Sequence, residues 1–354
     1  MKKSNKILRT LLGIVIVLVI IVAGGVVYLS VNEYKPDEKQ NILVQGATTK
    51  PISPGDTVTA VTYSIGYGIH DSGFDCKAEG GTMSIAADKK VIEQNMEPIL
   101  FNIKSVDPDI VFLQEVDRNS RRSFHYNEEE MIASDLEDYN SCFANNQLCS
   151  YVPTGLSGKT DAGLLSLTRL YAEENSERIS LTEAEKWPES MTGTKDCMLV
   201  ERVQLNNSSK QLVLINVQLT KNDMNLEQYK ELAKYMQLEF ANGNYVIAGG
   251  NFNAMLPSVS AGKYPAIDDE GYYPEQLPMS VLTGGWKYCT DDTYPTARRC
   301  DKKYEEGNTD KVQTYVIDGF ICSPNTIVEE TNTVDTEFIR AAHNPVSVKV
   351  TLVK

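Results

Sequence analysis

The chain predicts an α/β domain of mixed α+β character behind one membrane-spanning helix. Three observations lead there. Leu11 to Ser30 is a run without a charge or a proline, dominated by Ile, Val and Leu, and roughly 20 such residues span a bilayer. Farther along, short β-branched runs alternate with two helical stretches, and a strand–helix–strand order builds layered α/β folds. The third is the stretch Tyr245-Val246-Ile247-Ala248-Gly249-Gly250-Asn251-Phe252-Asn253-Ala254. Tyr245 to Ala248 reads as a buried strand, and the two glycines end it and let the backbone approach a neighbour. Asn251 and Asn253 point the same way if the backbone stays extended. Polar side chains at a strand end are where open α/β sheets place their sites.

Composition narrows the function classes. The 354 residues suffice for one large α/β domain or two small ones. With 42% hydrophobic and 23% charged residues the chain is globular rather than disordered. The net charge is −14, and setting aside the four cations of the first thirty residues (Lys2, Lys3, Lys6, Arg9) leaves −18 on the rest. That balance argues against sequence-independent binding of nucleic acid. None of the seven cysteines forms a Cys-x-x-Cys pair, which disfavours zinc-ribbon and thioredoxin readings. Cys142 with Cys149, or Cys289 with Cys300, are disulfide candidates in an oxidising compartment, and buried free thiols are the alternative. The three histidines, His70, His125 and His343, show no His-x-x-x-His spacing, so a zincin site is excluded.

The elements follow in order. Residues 1–10 form a basic tail, 11–30 the membrane span, 31–56 a linker and 57–354 the folded domain. Ala23-Gly24-Gly25 imitates a cleavage site, but the apolar run continues through Val26, Val27 and Leu29. That exceeds the apolar core of about 7–15 residues in a signal peptide, so an uncleaved anchor is expected. The cations before it put the N-terminus inside and the domain outside the membrane. No lipobox cysteine follows. The linker carries Pro36, Pro51 and Pro54, with a short strand expected at Ile42 to Val44. Val58 to Ile65 is a β-branched strand ending in Ser64-Ile65-Gly66-Tyr67-Gly68. Asp88 to Val106 has a helical apolar period, with Pro98 expected to kink it or begin its second half. Ile110 to Leu113 is a buried strand leading into Gln114-Glu115-Val116-Asp117. Glu128 to Leu136 reads as a short helix. Strands are expected at Asn140 to Asn145, Ala162 to Thr168, Met198 to Leu205 and Gln211 to Leu219. Leu226, Tyr229, Leu232, Ala233, Met236 and Phe240 form the core stripe of a second long helix. Leu256 to Asp310 is irregular, and its Asp291, Asp292, Arg298, Arg299 and Lys302 read as a solvated loop or, alternatively, a basic contact to an anion. Val316 to Ile321 and Ser347 to Val353 are the closing strands.

Several of these stretches together resemble the endonuclease/exonuclease/phosphatase superfamily, the group of deoxyribonuclease I and the sphingomyelinases. Gly250-Asn251-Phe252-Asn253 looks like its Gly-Asp-Phe-Asn signature, and Leu113-Gln114-Glu115-Val116 like its Leu-Gln-Glu-Val. Ile317-Asp318 resembles its Ile-Asp motif, and Ala342-His343-Asn344-Pro345-Val346 its closing Asp-His-x-Pro-Val. The likeness runs from about Val58 to Val353 and is nearest to a bacterial, membrane-tethered subgroup. It implies a four-layer α/β/β/α sandwich of the deoxyribonuclease I-like type. It also implies Glu115 as the main Mg²⁺ ligand and Ser64 near the metal. His343, Asp318, Asn253, Asn251 and Gln218 then occupy catalytic positions.

The substitutions matter as much as the matches. Ser64, Gln218, Asn251 and Ala342 stand where the family has Asn, His, Asp and Asp. An amide at 251 has no pKa suited to a general base, and Gln218 cannot protonate a leaving group. Mg²⁺ prefers one or two carboxylates among its oxygen ligands, and of the family's set only Glu115 survives. Loss of one catalytic base commonly costs ~10²–10⁴-fold. The bland reading of Asp318 and His343 is a hydrogen bond that ties two strands together. Two functions follow. One is a degenerate phosphoesterase, weak in or without Mg²⁺, that binds a phosphoester or a protein partner outside the membrane, with nucleic acid disfavoured. The other is an active Mg²⁺-dependent phosphodiesterase or phosphatase with a relocated metal site, in which Asp71, Asp75 and Glu79 supply the missing carboxylates near Glu115.

Overall fold

A computed structural model describes residues 2–152, 158–268, 271–305, 307 and 311–354. The N-terminal helix α1 (Lys2–Val31) stands clear of the domain, its apolar side chains from Ile7 to Val22 more than half exposed. Within it Lys6–Val31 is long and apolar enough to cross a membrane.

Among the described residues two sheets form the body. The first has the order β1 (Lys39–Leu43), β6 (Asn175–Ser180), β7 (Cys197–Gln204), β8 (Gln211–Gln218), β9 (Tyr245–Asn251), β13 (Asp318–Cys322), β10 (Lys287–Cys289). The second has the order β14 (Thr326–Thr333), β15 (Val346–Leu352), β2 (Thr57–Ser64), β3 (Ile110–Asp117), β5 (Gly158–Thr168), β4 (Asn140–Val152). A small ribbon, β11 (Ala297–Arg298) with β12 (Thr314–Tyr315), lies apart.

Alternation along the strands sets the layers. Ala60, Phe112, Leu214, Ile247, Phe320 and Val348 meet between the sheets. Val61, Tyr63, Val111 and Leu113 point outward to α2 (Lys89–Val106), with α3 (Glu128–Asp135) beside it. Val213, Ile215, Val246 and Ala248 point outward to α4 (Asn225–Ala241). The result is an α/β/β/α sandwich, as the motifs implied.

Differences in detail have physical causes. Pro98 lies inside α2 without splitting it; the stripe Ile92, Met96, Ile99, Ile103 buries both halves against one sheet face. The segment 31–56 carries its strand at Lys39–Leu43 and pairs with β6, and Gln45 and Lys50 bridge to Ser141 and Leu170. It is laid along the domain rather than hanging from it. The cysteine candidates do not pair. Cys142 and Cys149 lie on the one strand β4, while Cys289 Sγ faces Cys322 Sγ at 3.8 Å rather than Cys300. The irregular stretch from Leu256 contains β10 and β11; its residues 269–270, 306 and 308–310 fall outside the described residues, as do Met1 of the basic tail and 153–157.

The parallel pairs β2–β3 and β8–β9 are each closed by a helix, α2 and α4. Both units therefore release their strands at one end of the sandwich. Ser64 stands beside Gln114 there, and Asn251 lies between Gln218 and Asp318.

Candidate functional site

Two of the predicted residues are delivered to this end by a backbone device. Between Leu113 and Val116 the β3–β5 register slips, and Glu115 takes a left-handed φ of 57°. A bulge of this kind re-aims one side chain out of the strand's alternation. Asn253 also has positive φ, at 44°, just beyond β9. Its backbone N–H donates to Asn251 Oδ1 at 2.9 Å, and its Nδ2 donates to Leu219 O at 2.6 Å. The pair Asn251–Asn253 thus fixes the turn that its own motif forms.

Gln218 donates Nε2 to Glu115 Oε1 at 2.9 Å, and His70 Nδ1 lies 3.7 Å from Glu115 Oε2. His343 Nδ1 and Asp318 Oδ2 are 2.8 Å apart and buried. Thr296 Oγ1 accepts from the N–H groups of Ile317 and Asp318, which holds the start of β13. Gln218 Oε1, Asn251 Nδ2, Asn253 Oδ1, Asp318 Oδ1 and Ser64 Oγ are buried and make no hydrogen bond among the described residues. Unpaired polar atoms are costly inside a protein, so five near one sheet end mark a place built for something other than packing.

The charges are arranged unequally. Burial pushes the His343 pKa down, but the Asp318 carboxylate more than reverses this and leaves it above the ordinary histidine value. Burial also pulls His70 down, and there it prevails, to about 4, against the opposing pull of Glu115. Lys221 donates Nζ to Glu79 Oε1 at 2.6 Å and lies 5.9 Å from the Tyr272 ring centre. Burial raises the Glu79 pKa, yet Lys221 outweighs it and holds the carboxylate at about 2. Lys221, Asn222, Leu226, Asn253, Tyr272 and Tyr273 are among the residues lining a cleft of about 550 Å³. His70, Lys221 and Tyr272 carried no sequence signal, since each depends on partners remote in the chain. Glu79, a candidate carboxylate under the alternative reading, is the partner of Lys221.

No protein-family model matches the chain, and no curated protein matches it. Solved structures do. The endonuclease/exonuclease/phosphatase of Beutenbergia cavernae superposes with a TM-score of 0.55 at 14% identity, covering 84% of this chain and 72% of that one. The Bacteroides vulgatus enzyme of the same description gives 0.52 at 14% identity, covering 84% and 99%. A family member from Leptotrichia buccalis gives 0.50 at 15% identity, covering 83% and 99%. The chain has the endonuclease/exonuclease/phosphatase fold.

Proteins of the endonuclease/exonuclease/phosphatase fold generally work with a metal, and Mg²⁺ sets the demand on the donors here. A hard dication requires oxygen donors with free lone pairs, usually including carboxylates. Glu115 Oε1 already accepts a hydrogen bond from the Gln218 amide. Asp71 accepts from Gly73 N and Asn95 Nδ2, and Asp75 from Thr82. Glu79 holds Lys221 and the Cys300 N–H. Among the described residues no three of His, Cys, Asp and Glu converge. Glu115 therefore has no cluster of such groups around it among the described residues, while Gln218 Oε1, Asn253 Oδ1 and Asp318 Oδ1 remain unpaired oxygens at the same sheet end.

Proposed function

We propose that this protein is a membrane-anchored member of the fold that binds a phosphoester-bearing ligand and performs little or no metal-dependent hydrolysis. The observation that carries the reading is the Gln218–Glu115 hydrogen bond at 2.9 Å. An amide donor sits on the oxygen where the family resemblance puts a metal, and an amide replaces the family's acidic residue at Asn251. Metal-assisted hydrolysis needs a cation, an oriented water and help for the leaving group, and these substitutions weaken all three. Ligand binding draws support from other atoms. His343, with its raised pKa, spends more of the neutral range protonated than an ordinary histidine. Lys221 and Asn253 line the cleft, and Asn251 Nδ2 at the same sheet end is an unused donor. The N-terminal helix supports anchoring, with the cations of Lys2 to Arg9 on the inner side and the domain outside.

The test is hydrolysis of bis-p-nitrophenyl phosphate with Mg²⁺, Mn²⁺ or Ca²⁺. The chain is compared with Glu115→Ala and with the double variant Asn251→Asp plus Ala342→Asp. The expected result is no metal-dependent turnover in the unmodified chain and a gain in the double variant. Metal-dependent turnover abolished by Glu115→Ala would sink the proposal.

A further inference from the structure

The junction of α1 with the domain and the cleft lie at the same end of the sandwich. Tyr28 Oη is 3.3 Å from Ser150 Oγ at the far end of β4, and Ser30 Oγ donates to Met191 Sδ at 3.1 Å. Glu33 pairs with the buried Lys195 at 2.9 Å. The last turn of α1 is thus in contact with β4 and with the connection 181–196. That connection leaves the sheet at the end that bears the candidate site. Ser180 pairs with Cys197, Met198 with Val217, and Gln218 with Asn251. Ala184 O in the same connection accepts from Asn222 Nδ2 at 3.0 Å, and Asn222 lines the cleft. A continuous path runs from the helix end, through Met191 and Ala184, to the mouth of the cleft.

Large apolar side chains are exposed along it. Trp187 is 65% exposed, and Met279 and Leu226 are 62% and 40% exposed. Leu226 lines the cleft, and Met279 follows Pro278 of its lining. If Leu11 to Ser30 fills the hydrocarbon, Tyr28 and Ser30 stand at its outer boundary, and whatever touches them stands at the level of the lipid headgroups. Tryptophan is the side chain enriched at that level, because its ring is apolar and its N–H seeks water.

We infer that the site end of the sandwich is a lipid-docking face, seated on the bilayer that α1 enters, with Trp187 as its interfacial anchor. This rests on the reading of α1 as a membrane span. The occupant is the lipid surface because the covalently attached span brings these side chains there. The acidic domain makes aromatic and apolar insertion, not attraction to anionic lipid, the source of docking. The cleft mouth then opens into the headgroup layer rather than into bulk water.

The test uses tryptophan fluorescence of the full chain in phosphatidylcholine vesicles, with and without phosphatidylcholine brominated on the acyl carbons nearest the headgroup. The chain has two tryptophans, and Trp286 is buried beside Phe240. The quenchable emission is therefore that of Trp187. Docking predicts that brominated lipid quenches the Trp187 emission, as expected for an interfacial ring, and that Trp187→Phe abolishes the response. Equal emission in the two vesicle types, from chains that resist alkaline extraction, would overturn docking while leaving the anchor standing. Release of the chain by alkali would overturn both.

Discussion

Gln218 and Glu115 meet across the two sheets at 2.9 Å, one at the end of β8 and the other on the bulge of β3. The contact ties the sheets together at the site end and consumes a carboxylate oxygen. A hydrogen bond to a charged group contributes about 1.5–3 kcal/mol. Gln218→Ala is expected to lower stability by roughly that much and to leave Mg²⁺ without effect on Tm. Denaturant unfolding and a Tm series in Mg²⁺ check the two parts.

His343 and His70 are expected to titrate on opposite sides of the ordinary histidine value. Burial depresses both, but Asp318 reverses it for His343 alone. With three histidines in the chain, their ring protons can be followed one by one in an NMR pH titration. His70 should stay neutral down to about pH 4, and Asp318→Asn should bring His343 below its ordinary value. A raised folded pKa means that the His343–Asp318 pair stabilises fully below the unfolded histidine pKa of about 6.5. That contribution is lost as pH rises through the folded pKa. In Asp318→Asn this part of the pH dependence should vanish.

Glu201 is a buried acid on β7 with neither carboxylate oxygen hydrogen-bonded among the described residues. Burial pushes its pKa up from 4.5 to about 8. Between those values the folded state holds a proton that the unfolded state has released. Stability should therefore be full below pH 4.5 and fall toward pH 8, by about 1.4 kcal/mol per pH unit. Glu201→Gln should flatten the decline, raising Tm at pH 8 and changing it little at pH 4.5. Equal Tm shifts at both pH values would refute the assignment.

Asp117 accepts from Arg122, Ser120 and Ser123 and is fully buried. The Arg122 guanidinium lies 3.3 Å from the centre of the Tyr67 ring. Removing one partner leaves a buried cation uncompensated, so Asp117→Ala should cost about 3–5 kcal/mol in chemical unfolding. The double variant Asp117→Ala plus Arg122→Met should recover part of that loss.

Much of the framework was legible because burial writes itself into the chain. Gln211 to Leu219 and Tyr245 to Ala248 are central strands packed on both faces, and central strands read as apolar runs. The polar strands were not legible. Asn175–Ser180 and Thr326–Thr333 are mainly polar, and only their neighbours make them strands. Glu115, Asn253, Asp318 and His343 were found through motifs at strand ends, and the structure brings Gln218 onto Glu115 and Asp318 onto His343. Lys221 escaped because its place is set by Glu79, 142 residues away. The partner of Glu79 was hidden for the same reason, since a carboxylate's role is fixed by the cation that reaches it.

The pairing of β1 with β6 makes α1 a lever. Five consecutive register pairs, Lys39 with Ile179 through Leu43 with Asn175, clamp the chain only seven residues after the helix ends at Val31. Torque on the helix is geared straight into the seven-stranded sheet instead of being dissipated in slack chain. A helix longer than the local hydrocarbon tilts to fit it. With α1 set in a bilayer, as proposed above, membrane thickness would turn the whole sandwich, and with it the angle at which the cleft is presented.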